Sequence, residues 1–247
     1  MSAHRDAIHV WSELGAAGAQ RGAARGDVVV IIDALRASAT IPTALAAGAT
    51  AVIPALTVEQ ASAYLTDPDT IVAGERGGVR VPNLHFGNSP TEIWANRRQI
   101  AGKTLVLTTS NGTRCTHAAL QGAAAVLTGA LVNAAAVART ALHLARARGS
   151  AITLVAAGIG ERPAIEDTFS LNIIAHRLVA LGAATKTPLP PVDAATSLEL
   201  FLSSKAASRL IDLGYDQDVH FCAQIDLWRI APIYRGTGFV ASLYHEP

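Results

Sequence analysis

The chain has 247 residues, half of them apolar and 16% charged, with 20 Lys plus Arg against 19 Asp plus Glu. That size and apolar content allow a substantial buried core, which excludes a disordered or fibrous protein. A net charge of +1 sets up no global field for nucleic acid or an anionic membrane, and the two cysteines, Cys115 and Cys222, form neither a disulfide scaffold nor a zinc-binding spacing.

Met1 to Gly15 mixes His4, Arg5, Asp6 and Glu13 and holds no apolar stretch of signal-peptide type. The uncharged run Cys115 to Ala138 is interrupted by His117, Gln121, Gly122, Gly129 and Asn133, so it reads as soluble secondary structure and not as a membrane span. The expectation is a cytoplasmic protein without nucleic-acid or membrane partners.

The first strong periodic signal is Val28-Val29-Val30-Ile31-Ile32-Asp33, a β-branched run ending in a carboxylate. Without polar alternation it suits a strand buried on both faces of a parallel sheet. A helix is expected from about Ser38 to Gly48, then a short strand Ala51 to Pro54, then a helix Thr57 to Leu65 with Thr57 as its N-cap. Thr70 to Ala73 reads as a strand leading into Gly74-Glu75-Arg76-Gly77-Gly78, and Ser89-Pro90-Thr91-Glu92 opens a helix with a capping box. The alternation continues through strand Thr104–Thr109, helix Gly112–Leu120, strand Ala124–Thr128, helix Asn133–Arg148, strand Ala151–Ala157 and helix Ile165–Leu181. Pro188, Pro190 and Pro191 mark a linker, two helical stretches follow, and Val219 to Ile233 reads as an irregular strand-like segment at a sheet edge. This βα rhythm predicts a layered α/β/α fold with a largely parallel or mixed sheet. The chain reads as one domain, 1–247, with a smaller C-terminal α+β segment from 192 to 247.

In such sheets ligands bind at the carboxyl ends of strands. Those ends supply Asp33, Glu75 and the helix-start pair Glu166-Asp167, together with Ala157-Gly158-Ile159-Gly160-Glu161. The four acids are hard oxygen donors of the kind magnesium or manganese prefers, although Glu166 and Asp167 also suit the positive end of their own helix. Ser110, Asn111, Gly112 and Thr113 form a strand-to-helix turn whose amides attract phosphate, and Arg36, Ser38 and Thr40 repeat the pattern after the first strand. Asn-Gly is equally an ordinary turn signal.

Other mechanisms are excluded by position. Gly102-Lys103-Thr104 lacks the P-loop glycine because Arg97 stands there, and Pro163 replaces the third glycine of a dinucleotide fingerprint. Cys115 and Cys222 have Gln121 and Trp228 where a thiol phosphatase needs arginine, and Leu35 interrupts a D-x-D phosphatase motif.

Asp33-Ala-Leu-Arg36-Ala-Ser-Ala-Thr40, Gly74-Glu75-Arg76-Gly77, Gly87-Asn88-Ser89-Pro90, Thr108-Thr-Ser-Asn111-Gly112-Thr113-Arg114, Asn133 and Glu166-Asp167 occur in that order, followed by Asp218, Asp226 and Pro232. This series resembles the 2-phosphosulfolactate phosphatase family over roughly Val28 to Pro232. The chain departs from it in lacking a cysteine before Ala157-Gly158 and in having Asn83-Leu84-His85-Phe86 where an acid is more usual. The resemblance implies a magnesium-dependent hydrolase, associated with coenzyme M biosynthesis, that acts on the phosphate monoester of a small 2-hydroxy acid.

On that reading Asp33, Glu75, Glu166 and Asp167 are the metal-ligand candidates, with Asp33, Arg36, Glu166 and Asp167 the catalytic set. Arg36, Ser38, Thr40 and residues Ser110 to Thr113 would hold the phosphoryl group, and Arg76, Asn88 and Ser89 the substrate's acidic end. Two other classes compete: a non-catalytic binding protein or sensor for a phosphorylated small acid, and loops that serve a homo-oligomer interface. The carboxylate cluster favours the enzyme, because without a cation it would repel such a ligand.

Overall fold

The computed structural model describes residues 7–160 and 162–243. Met1 to Asp6, Glu161 and Tyr244 to Pro247 lie outside the described residues, and with them the reading made of the first residues and of Glu161.

Eleven strands are described: β1 His9–Leu14, β2 Val28–Ile32, β3 Ala51–Ala55, β4 Thr70–Arg76, β5 Val79–Arg80, β6 Thr104–Thr108, β7 Ala125–Thr128, β8 Ile152–Ala156, β9 Ala184–Thr185, β10 Ile230–Arg235 and β11 Gly238–Leu243. They form one mixed sheet in the order β5-β4-β6-β3-β11-β10-β7-β2-β8-β1-β9. The expected α/β fold with a largely parallel sheet is what the chain adopts. The apolar β2 is central for the reason its composition implies, since both of its faces are covered. Val28, Val30 and Ile32 join a core with Val137 and Ile174, while Val29 and Ile31 join another with Leu105 and Leu107.

Two features depart from the sequence reading. The strand β1 and the helix Gly15–Ala24 were not anticipated: His9–Leu14 is only partly buried, and glycine and alanine give the helix a weak apolar stripe. The segment Val219–Ile233 is not a strand at an edge. It contains the end of helix Asp216–Cys222, a loop, and the start of β10, which enters the middle of the sheet.

The strand directions bear out the mixed alternative. β4, β6 and β3 are mutually parallel, as are β7, β2, β8, β1 and β9. Between the two blocks the β10–β11 hairpin makes antiparallel junctions with β7 and β3, each through a single residue pair, Ile233 with Leu127 and Phe239 with Val52. Three antiparallel junctions reverse one block against the other. The residues just past the carboxyl ends of β2 and β6 nonetheless meet, the Gly112 amide reaching Asp33 Oδ2 at 2.8 Å, although their blocks run in opposite senses. No helix among the described residues is long and apolar enough to cross a membrane.

Candidate active site

A cavity of about 500 Å³ opens where these strand ends meet. Its walls include Asp33, Leu35, Arg36, Glu75, Gly77, Gly78, Asn88, Ser110, Asn111, Ile159, Lys205, Arg209 and Leu210.

Asp33 stands one residue past β2 and is 8% exposed. Its backbone is fixed by Ser38, whose hydroxyl accepts from the Asp33 amide at 2.8 Å and whose own amide donates to the Asp33 carbonyl at 2.8 Å. The carboxylate Oδ2 accepts from the Gly112 amide at 2.8 Å. A Cβ on Gly112 would lie 2.8 Å from that oxygen, so this close approach requires glycine. Burial, then the charge of Glu75, pushes the Asp33 carboxyl up to about 6.

Glu75 comes from the end of β4 and is buried. Its Oε1 accepts from the Ser110 amide at 2.8 Å and its Oε2 from the Gly78 amide at 2.7 Å. Asp167 lies in the first turn of helix Ile165–Ala180. Its two oxygens accept from Ala34 at 2.7 Å and from Gly158 at 2.8 Å, so it ties the end of β2 to the loop after β8. Burial and then the charge of Asp33 hold its carboxyl well above the usual range. Glu166 beside it is also raised by burial, opposed by backbone hydrogen bonding and by the Ser204 hydroxyl.

The four candidate metal ligands thus form one electrostatic neighbourhood, with Asp33 and Glu75 on the cavity wall and Glu166 and Asp167 behind it. Among the described residues no three His, Cys, Asp or Glu side chains gather at one ligand point.

The predicted anion cradle is occupied by the protein itself. The Ser110 amide serves Glu75, the Gly112 amide serves Asp33, and the Thr113 amide and hydroxyl both meet the Thr109 hydroxyl. Helix-start amides attract anions, and here the anions are side chains. Asn111 lines the cavity without such a commitment.

Arg36 is likewise engaged. Its Nη1 donates to Asp218 Oδ2 at 2.7 Å, its Nη2 donates to the Gly78 carbonyl at 2.7 Å, and its guanidinium lies 4.4 Å from the Tyr215 ring centre. Asp218, 1% exposed, also accepts from the Ser89 hydroxyl at 2.8 Å and from the Thr91 amide at 3.2 Å. Ser89 therefore spends itself on Asp218 and on capping Glu92, away from the cavity. The Glu92 carboxylate meets Gly87, not Ser89, so the capping box is only half formed.

Ser38 hydrogen-bonds Thr128 at 2.7 Å within the core, and Thr40 is fully buried in its helix. Arg76 turns outward, donating to the Thr108 hydroxyl at 2.9 Å and to the Glu75 carbonyl at 2.6 Å, and does not line the cavity. Asn88 does line it, 3% exposed, and its Oδ1 finds no hydrogen-bond partner among the described residues.

Lys205 and Arg209 were not among the expected site residues. They belong to an amphipathic helix, Lys205–Asp212, whose charged face reads in sequence as solvated surface. Asp218 appeared only as part of the family-like tail. Its pairing with Arg36, 182 positions away, has no local signature.

The family model described as 2-phosphosulpholactate phosphatase matches residues 17–237. A Deinococcus radiodurans protein named "Probable 2-phosphosulfolactate phosphatase" is 37% identical over 219 residues, covering 83% of this chain and 87% of the relative. A Thermus thermophilus protein of the same name is 36% identical over 216 residues, covering 85% and 89% respectively. The ordered motifs, the match across nearly the whole length and these relatives place the chain in the 2-phosphosulfolactate phosphatase family.

Proposed function

We propose that this chain is a phosphoric monoester hydrolase that converts 2-phosphosulfolactate and water to 3-sulfolactate and inorganic phosphate. The observation that carries the reading is the buried pair Asp33 and Glu75 on the wall of the 500 Å³ cavity, in a chain of this family.

Two carboxylates that crowd one another would repel a phosphate dianion, and a hard divalent cation resolves both conflicts. Magnesium commonly takes one or two carboxylates and completes its shell with water and substrate oxygens, so the absence of a three-ligand cluster among the described residues is compatible with it. Asp33 and Glu75 would hold the ion, or manganese in its place, with Glu166 and Asp167 as supporting negative charge. When bound, the cation supplies charge neutralisation at the non-bridging phosphoryl oxygens.

The remaining chemistry falls to the chain's own groups. Asn88 Oδ1, buried and unpartnered, offers an acceptor that orients the attacking water. Attack of that water on phosphorus breaks the ester P–O bond, and the proton it gives up ends on the released sulfolactate hydroxyl, while Asp33 and Glu75 stay committed to the ion. Asn111 faces the phosphoryl group from the start of helix Gly112–Ala119. Arg36 acts at one remove, holding the Gly78 carbonyl and Asp218 so that the wall keeps its shape.

Phosphate release from a panel of phospho-hydroxy acids, with 2-phosphosulfolactate as the preferred member, tests this reading. Failure to release phosphate from any of them in the presence of magnesium would overturn it.

A further inference from the structure

We infer that Lys205 and Arg209 form the subsite for the substrate's non-reacting acid group, so that the cavity selects phosphate esters carrying a second strong acid. This rests on the phosphatase reading for what fills the cavity.

Both side chains line the cavity wall and stand four residues apart on helix Lys205–Asp212, which puts them on one face. With Arg36 they are the cations among the cavity's lining residues. Arg36, the third, is fully engaged with Asp218 and the Gly78 carbonyl. Neither Lys205 nor Arg209 forms an ion pair among the described residues.

The helix that carries them is fixed at both ends. Ser204 caps its start, accepting from the Ala207 amide at 3.0 Å, and its hydroxyl also meets Glu166. At the other end Leu210 and Leu213 approach Gly78, and Arg209 Nε donates to the Gly77 carbonyl at 2.6 Å. Gly77 suits this contact by its backbone. At φ +59° it has the left-handed backbone glycine favours, and a Cβ there would lie 2.8 Å from Arg209 Nη2. One donor thus anchors the guanidinium while its outer nitrogens remain for a ligand.

The cavity is therefore asymmetric, with carboxylates Asp33 and Glu75 at the ends of β2 and β4 and two cations, of which Arg209 is anchored, on the C-terminal helix. A phosphate ester of a neutral alcohol leaves those cations to water. An ester bearing a sulfonate or carboxylate offers them charge-assisted hydrogen bonds. Arg76, expected in this role from the sequence, faces Thr108 instead.

Calorimetric titration of 3-sulfolactate, malate and inorganic phosphate into wild type, the double variant Lys205→Met/Arg209→Leu and Arg76→Met tests the assignment without requiring turnover. The organic acids are expected to bind about tenfold more weakly to the double variant, with a smaller loss for inorganic phosphate. The assignment is overturned by undiminished affinity in the double variant, by an equal or larger loss in Arg76→Met, by an equal loss for inorganic phosphate, or by no binding of either acid to wild type. Should wild type bind 3-sulfolactate as expected yet release no phosphate from its ester, the phosphatase reading falls and the subsite stands.

Discussion

The Gly112 amide donates to Asp33 Oδ2 at 2.8 Å, and a side chain on Gly112 would meet that same oxygen at 2.8 Å. The contact locks the start of helix Gly112–Ala119 onto the end of β2, across the reversal between the two strand blocks. Gly112→Ala keeps the donor but forces its Cβ against Asp33 and Ala37, the latter at 3.3 Å. Overpacking of this kind costs about 1–3 kcal/mol, measurable by urea denaturation. Phosphate release should fall more steeply than stability, because the displaced atom is the carboxylate itself.

Asp33 also sets a pH signature. In the folded chain its carboxyl sits near 6, above the ordinary 3.8, because it is buried and faces Glu75. Between those values the unfolded chain releases its proton while the folded chain retains it. Stability therefore falls as pH rises through that window, and the full penalty applies above it. Asp33→Asn should raise the metal-free melting temperature at pH 8 by a few degrees relative to wild type, a gain that vanishes below about pH 4. Parallel thermal melts across that range check the sign.

The buried ion pair of Arg36 and Asp218 should behave asymmetrically. Its atoms are 2.7 Å apart and its side chains 2% and 1% exposed. Asp218→Ala leaves a guanidinium buried without its carboxylate, a change that costs about 3–5 kcal/mol in such settings. Arg36→Lys keeps the charge, but one ammonium cannot serve both Asp218 and the Gly78 carbonyl. Its kcat/KM should drop about tenfold or more while the fold persists by circular dichroism, since losing a charge-assisted hydrogen bond carries that scale.

Cys115 is expected to be chemically silent. Burial, with Asp33 and Asp167 adding to it, pushes the thiol up to about 12, and the side chain is 2% exposed. Native protein at pH 8 should resist iodoacetamide, and Cys115→Ala should release phosphate at close to the wild-type rate. Rapid alkylation coupled to inactivation would contradict the carboxylate chemistry.

Much of this arrangement is legible in the sequence where a local rule governs it. The run Val28–Ile32 announces a strand buried on both faces, and Asp33, Glu75 and Asn111 follow from asking what stands at strand ends. The N-cap at Ser89 is equally local, since its hydroxyl accepts from Glu92 as the spacing implies. What escapes is non-local. The β10–β11 hairpin enters mid-sheet by pairing with strands more than a hundred residues earlier in the chain, which no window of sequence reveals. The amides at Ser110 and Gly112 have the pattern of a phosphate cradle, yet two side chains of the same sign as phosphate reach them first. Lys205 and Arg209 look like solvated charges until the helix is seen lying along the cavity.

The central claim, that Asp33 and Glu75 share a divalent cation during phosphate release, is tested most directly by titrating Mg²⁺ into chelator-stripped protein with 2-phosphosulfolactate present. Wild type should be inactive after stripping and recover with Mg²⁺, while folded Asp33→Asn stays inactive throughout. Full turnover by stripped wild type, or by Asp33→Asn, would contradict the account.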